Sequence, residues 1–344
     1  MTRKTRAALL GAAVFAVSLY YFSSERANFY EDSAKTQVRV ATQASALPLA
    51  LFAVADKNGY FADNNFKITI LQNTSSGFAL DALLKKDAEF AVVNDFSFAA
   101  RAFSEKNIVI ISTSAILRGH EIIARRAAGI SLLRDLKGKK VGATPFGSEF
   151  ALENLLKSNG LSLRDVRVVH LNADELQIKF TNGEIDALAA WSPTVLRLSQ
   201  NFGPQAIVWR PGEASSAIYY LLVARKNWFL SNSNVALSML KALGEAQDYI
   251  FLNSGESKKI FTKYFEGDIV DLDSGWEGSS FALALPRRLI DVLNLQADFI
   301  LRHGLPESDV NAPNVMPQGD IPNYADFIDP SLLKSIRPSA VNID

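Results

Sequence analysis

Residues 35–112, KTQVRVATQASALPLALFAVADKNGYFADNNFKITILQNTSSGFALDALLKKDAEFAVVNDFSFAARAFSEKNIVIIS, switch between two kinds of periodicity, and that switching decides the fold. Residues 35–42 (KTQVRVAT) alternate polar and apolar side chains, the period of a half-buried strand. Ser45 then stands as the cap of a helix through LPLALFAVADK, which Asn58-Gly59 ends. Residues 67–71 (KITIL) are β-branched and read as a second strand, and Ser76-Gly77 opens a helix over residues 78–85. Residues 90–93 (FAVV) form a short buried strand, Asn94-Asp95 turns into a helix from Phe96, and residues 108–112 (IVIIS) are a further strand. Strands and helices alternating through short loops require a mostly parallel sheet flanked by helices.

The rhythm repeats. Strands are expected at residues 121–125, 140–143, 167–170 and 186–190, with helices at 149–158 and 173–181 and another after Trp191-Ser192-Pro193. Two apolar strands follow Gly203-Pro204, at 206–209 and 217–224. Long helical patterns then take over, at 231–251, 257–264 and 286–302, before a proline-bearing tail with one helix near 330–336. Two successive half-domains of strand–loop–helix units, in a chain of 344 residues, predict an α/β protein of two lobes.

Arg3, Lys4 and Arg6 precede the apolar run AALLGAAVFAVSLYYF, residues 7–22. Basic residues before such a run read as an export signal, or as a signal anchor that leaves the body outside the cytoplasm. Residues 1–35 are therefore set apart from the fold. Lys+Arg and Asp+Glu both number 36, so the chain is neutral and lacks the basic balance of a nucleic-acid binder. Cysteine is absent, which excludes disulfides, thiolate metal sites, iron–sulfur clusters and a cysteine nucleophile. Three histidines, scattered at 120, 170 and 303, argue against a histidine metal site. No phosphate loop, dinucleotide fingerprint, nucleophile elbow or H-E-x-x-H is present. The sequence calls for no cofactor and no catalytic residue.

Candidate binding residues gather instead where strands pass into helices. In open α/β sheets ligands dock outside the carboxyl ends of the strands, against free N–H groups of helix N-termini. Four loops qualify: Gln43-Ala44-Ser45; Asn73-Thr74-Ser75-Ser76; Asn94-Asp95-Phe96-Ser97; and Thr144-Pro145-Phe146-Gly147-Ser148-Glu149. Their small hydroxyl and amide side chains cap helices and bind ligands by the same chemistry. Phe96, Phe146, Phe150 and Trp191 offer aromatic walls, with core packing the first reading for Phe150 and equally open for Trp191. A sulfonate or nitrate fits such helix N-termini, with Arg118 and His120 near the first expected passage between half-domains to help hold it, whereas the acids Asp95, Glu149 and Glu213 repel an anion and suit an amine or ring N–H.

Asp135-Leu136-Lys137-Gly138-Lys139-Lys140-Val141-Gly142 followed by Gly147-Ser148, then Asn182-Gly183-Glu184-Ile185-Asp186-Ala187 with Trp191-Ser192-Pro193, form an ordered set with Gly59-Tyr60-Phe61 and the ending from Phe327 to Val341. In this order they resemble the periplasmic substrate-binding proteins of ABC transporters for sulfonates, nitrate and thiamine-precursor pyrimidines. The resemblance implies a type II periplasmic-binding-protein fold, with lobe 1 at 36–116 plus 218–344 and lobe 2 inserted at 117–217. It implies a monomer in the periplasm, held at the inner membrane by residues 7–22 if that segment is retained. It further implies a small ligand closed between the lobes, which the ligand-bound form delivers to a membrane permease. Asp87-Ala88-Glu89 departs from the glycine and aspartate usual before the third strand. A membrane-tethered sensor is the alternative role on the same fold. A pyrimidine-synthesis enzyme is a further alternative, but its iron and cysteine-rich motif have no counterpart in a chain without cysteine.

Overall fold

The computed structural model describes residues 36–43, 47–144, 146–211, 217–265, 272–304, 317 and 319–343. Among them the strands of the two main sheets are β1 (Thr36–Gln43), β2 (Phe66–Asn73), β3 (Phe90–Asn94), β4 (Ile108–Arg118), β5 (His120–Arg125), β6 (Lys140–Ala143), β7 (Arg167–His170), β8 (Ala187–Trp191), β9 (Ala206–Trp209), β10 (Ala217–Arg225) and β11 (Ser279–Ser280). They make two mixed sheets, one per lobe, in the orders β11-β4-β10-β3-β1-β2 and β7-β6-β8-β5-β9. In the first, β1 to β4 share one direction, while β10 runs antiparallel between β3 and β4 and β11 runs antiparallel at the edge. In the second, only β5 opposes the others, between β8 and β9.

Two crossings join the sheets. The chain leaves the first through Leu117-Arg118-Gly119-His120, directly from β4 into β5, and returns between β9 and β10. The inserted sheet is covered on both faces. Ile122, Ala187 and Ala189 pack on one side with Leu152 and Leu156 of the helix Gly147–Lys157. Ile123, Leu188 and Ala190 pack on the other with Phe180, Val195 and Leu198. Consecutive residues of β5 and β8 thus feed opposite cores, as the two-residue period of a strand demands. β10, paired on both edges and buried from Tyr219 to Arg225, carries a continuous apolar run rather than an alternation.

Two elements differ from the sequence expectation. β4 does not stop at Ser112 but runs to Arg118, because the polar trio Ser112, Thr113 and Ser114 is buried inside the crossing strand. Thr113 Oγ1 donates to the Ala282 carbonyl at 2.7 Å and accepts from the Ala284 N–H at 3.0 Å, so a hydroxyl that reads as a turn signal sits in the core at no cost. The helix expected over 231–251 begins at Ser233 and runs to Leu252, and a separate short helix, Lys226–Ser231, precedes it. Asn232 between them leaves helical geometry, and its side-chain amide donates to the Trp228 carbonyl. Among the described residues no helix is long and apolar enough to cross a membrane; residues 7–22 lie outside them.

Candidate functional site

A cavity of about 330 Å³ opens between the two sheets. The carboxyl ends of β1 and β3 supply Gln43 and Asn94, and the helix Asp95–Arg101 supplies Asp95, Phe96 and Ser97. β10 contributes Tyr220, and the distant helix Arg288–His303 contributes Gln296. From the inserted lobe come His120, Thr144, Phe146, Gly147, Phe150 and Trp191. A volume of this order suits a small solute.

One end of the cavity is a hydrogen-bond network. Gln43 donates through Nε2 to Tyr220 Oη at 2.8 Å and accepts at Oε1 from Ser76 Oγ at 2.7 Å. Ser76 Oγ in turn accepts from the backbone N–H of Asn94 and from its Nδ2, each at 3.1 Å. Asn94 Oδ1 caps the following helix by accepting from the Ser97 N–H at 2.8 Å. Asp95 is 2 % exposed; its carboxylate accepts from the N–H groups of Phe96 (2.9 Å) and Tyr219 (3.3 Å) and from the Gln296 side chain. Burial pushes this carboxyl up to about 7, the three hydrogen bonds opposing the rise only in part.

The other end is aromatic. The ring of Phe96 lies 5.7 Å from that of Phe146, 6.2 Å from Phe150 and 6.1 Å from Phe299. Phe150 comes from the inserted lobe, so this cluster is also a contact between lobes. Phe146 holds φ at 71°, a left-handed value that a bulky side chain rarely takes. Strain of that kind, about 1–3 kcal/mol, persists only where packing enforces it. His120 faces Trp191 across the β5–β8 pair, and Trp191 Nε1 donates to the Arg118 carbonyl at 3.2 Å. The His120 ring lies over Gly147: a Cβ there would stand 2.8 Å from His120 Cε1. Burial lowers His120 to about 4, so at neutral pH the imidazole is uncharged. No Lys or Arg is among the described residues lining the cavity.

A second interlobe contact flanks the cavity. Glu153, on the helix Gly147–Lys157, is 3 % exposed. It accepts from Arg302 Nη1 at 2.5 Å, its other oxygen lies 2.6 Å from His303 Nε2, and Lys157 pairs with it as well. Burial raises this carboxyl, but the hydrogen bonds from Lys157 and Arg302 outweigh it and leave the group below the usual range.

Of the residues singled out in the sequence, Gln43, Asn94, Asp95, Phe96, His120, Thr144, Phe146, Gly147 and Trp191 share this one cavity wall. Five described ones do not reach it. Thr74 is exposed, and Ser75 caps the helix Ser76–Leu84 by accepting from the Phe78 N–H. Ser76 stands behind Gln43 and Asn94 as their hydrogen-bond partner. Ser148 donates back to the Thr144 carbonyl, and Glu149 faces His170 at 3.2 Å. Ser45 and Glu213 lie outside the described residues. Ser97, the last residue of the third loop, also lines the wall, and Tyr220 and Gln296 join it without having been marked by any loop motif. Gln296 still left a trace: it shares the apolar stripe of its helix with Leu289, Val292, Leu293 and Ile300.

Comparison with known proteins agrees with this architecture. The periplasmic aliphatic sulphonate binding protein SsuA from Escherichia coli superposes with a TM-score of 0.66 at 16% identity, over 83% of this chain and 94% of that one. A periplasmic sulfonate-binding protein from Methylobacillus flagellatus gives 0.69 at 12% identity, over 88% and 94%. In sequence, a Haemophilus influenzae protein named for thiamine biosynthesis is 25% identical over 268 residues, 74% of this chain and 83% of its own. The family model described as NMT1/THI5 like matches residues 49–256, well over half the chain, and the protein belongs to that family.

Proposed function

We propose that the chain is an exported solute-binding protein of an ABC importer, which closes two lobes around a small ligand with a nitrogen-bearing, hydrogen-bonding head and a flat apolar body. The lobes divide at 36–116 plus 218–344 and 117–217, with residues 7–22 as export signal or inner-membrane anchor. The partner is the transporter's permease, which receives the ligand from a monomeric, closed form in the periplasm. Relatives and structural neighbours named as sulfonate-binding proteins support the transport role. The character of the cavity supports the choice of head.

The observation that carries this choice is Asp95: a carboxyl buried on the cavity wall, with no Lys or Arg among the described lining residues. A sulfonate placed there meets a carboxylate above pH 7 and no cation to offset it, since His120 is neutral as well. An amino group or ring N–H meets acceptors at Asp95 and Asn94, while Phe96, Phe146 and Trp191 cover a flat ring. A binding role also accords with the lack of cysteine, since iron and a cysteine-rich motif are what the resemblance attached to pyrimidine synthesis.

Thermal melting of the full-length chain in mild detergent tests this, with 4-aminopyrimidine, benzamidine, benzenesulfonate, taurine and nitrate as probes. A probe at 100 times its dissociation constant stabilises the fold by about 2.7 kcal/mol, a shift of several degrees. The nitrogen bases should raise Tm at pH 8. Stabilisation by benzenesulfonate or nitrate alone would sink the reading.

A further inference from the structure

Two side chains on the cavity wall each hold one buried polar atom without a partner. Gln296 and Ser97 are each 4 % exposed, and neither Gln296 Oε1 nor Ser97 Oγ has a hydrogen-bond partner among the described residues. They sit on two helices packed against each other, Arg288–His303 and Asp95–Arg101. Gln296 donates its amide hydrogen to Asp95, so the end left over is its carbonyl oxygen, an acceptor. Ser97 offers a hydroxyl that accepts or donates. Buried polar groups are nearly always paired, and exceptions lining a binding cavity are where a ligand completes the set. The donor direction of the Gln296 amide follows from its neighbour: turned the other way, its oxygen would face a carboxyl already engaged by two N–H groups.

We propose that Gln296 is a specificity-determining residue, its Oε1 accepting an N–H from the ligand next to Asp95, so that the two acceptors together select a head bearing at least two N–H donors. Ser97 Oγ adds a third polar contact on the neighbouring helix. The chemical class is an amino-substituted nitrogen heterocycle or an amidine; a tertiary amine or an N-methylated analogue leaves the Gln296 oxygen unpaired. This assignment rests on the nitrogen-head reading above and adds to it the residue that counts hydrogens on the nitrogen. Gln296 lies about two hundred residues from Asp95 in sequence, and the pairing exists only because the two helices meet at the cavity.

The experiment is titration calorimetry at pH 8 with 4-aminopyrimidine and 4-(dimethylamino)pyrimidine, on the full-length wild type and on Gln296→Leu. The wild type should prefer the primary amine by at least about ten-fold, because the methylated analogue strands a buried acceptor. Gln296→Leu should bring the ratio to within about two-fold while still binding the dimethyl compound, since the rings that hold it are untouched. A residue that merely supports the wall would weaken both ligands alike and leave the ratio intact, and that result overturns the proposal. A wild-type ratio near one overturns it without any variant. If Gln296→Leu shows no cooperative melt, Gln296→Met carries the same criterion. A wild type that binds neither amine overturns the nitrogen-head reading itself, whereas binding with unchanged discrimination in the variant removes only the role of Gln296.

Discussion

Asp95→Asn should change how stability responds to pH, and the size of the change follows from burial. The Asp95 carboxyl sits at about 7 in the folded chain, against 3.8 for an ordinary aspartate. Between those values the unfolded chain has released its proton and the folded chain has kept it, so stability falls as pH rises through the window. Three units at about 1.4 kcal/mol each make the protein roughly 4 kcal/mol less stable at pH 8 than at pH 4 on account of this group. His120 works in the opposite sense. Its ring is lowered to about 4 from 6.5, so its contribution is complete above pH 6.5 and is lost as pH falls to 4, by roughly 3 kcal/mol. In the wild type the two slopes oppose one another from pH 4 to 6.5. In Asp95→Asn the His120 slope stands alone. Urea unfolding at half-unit steps from pH 4 to 8, taken as variant minus wild type, cancels His120 and every other titrating group not coupled to Asp95. That difference should climb by about 4 kcal/mol from acid to base. Any loss from turning an asparagine amide towards the N–H of Phe96 or Tyr219 enters as a constant offset, not a slope. A difference curve flat to within about 1 kcal/mol would refute a buried, weakly compensated carboxyl at this position.

Two other substitutions separate the cavity from the closure of the lobes. Gly147→Ala places a methyl 2.8 Å from His120 Cε1; the displaced ring should cost about ten-fold in affinity for 4-aminopyrimidine by calorimetry, and an unchanged constant would mean that His120 moves aside freely. Glu153→Gln removes the charge that meets Arg302, His303 and Lys157 and should lower stability by about 1–3 kcal/mol; small-angle scattering of the unliganded chain should show a larger radius of gyration, and equal radii would mean that the lobes stay shut without this contact.

The architecture was legible because its signals are local. β6 and β7 coincide with the stretches read from KVGA and RVVH, and Asn94 and Ser75 cap helices as their position after a strand suggests. Half of the cavity was legible for the same reason, since strand-to-helix loops at the carboxyl ends of a sheet converge by topology. The remainder depends on contacts that no window of sequence contains. Tyr220 reads as one more apolar strand residue until β10 is placed beside β3, where its hydroxyl accepts from Gln43. Ser148 looked equivalent to Thr144, yet the first turn of the helix folds its hydroxyl back onto the Thr144 carbonyl and away from the cavity. Gln296 carried the one signal that was available, a polar residue where the helical period requires an apolar one, and that signal becomes specific only once the helix is known to face Asp95.

The same fold can hold anions or bases, so the choice between them lies in the charge placed at the mouth of each helix. A helix N-terminus favours an anion through its free N–H groups. In this chain the helix after β3 begins with Asp95, whose own carboxylate accepts from the Phe96 N–H, and Asn94 takes the N–H of Ser97. Two donors that could have met a sulfonate are thereby occupied from within the chain. What the helix presents to the cavity is then acceptor character, reinforced by Gln296, with no lysine or arginine among the described lining residues. Converting such a wall to anion binding would require more than removing Asp95, because Asn94 and Gln43 would still be locked into the Ser76–Tyr220 network that fixes their orientation.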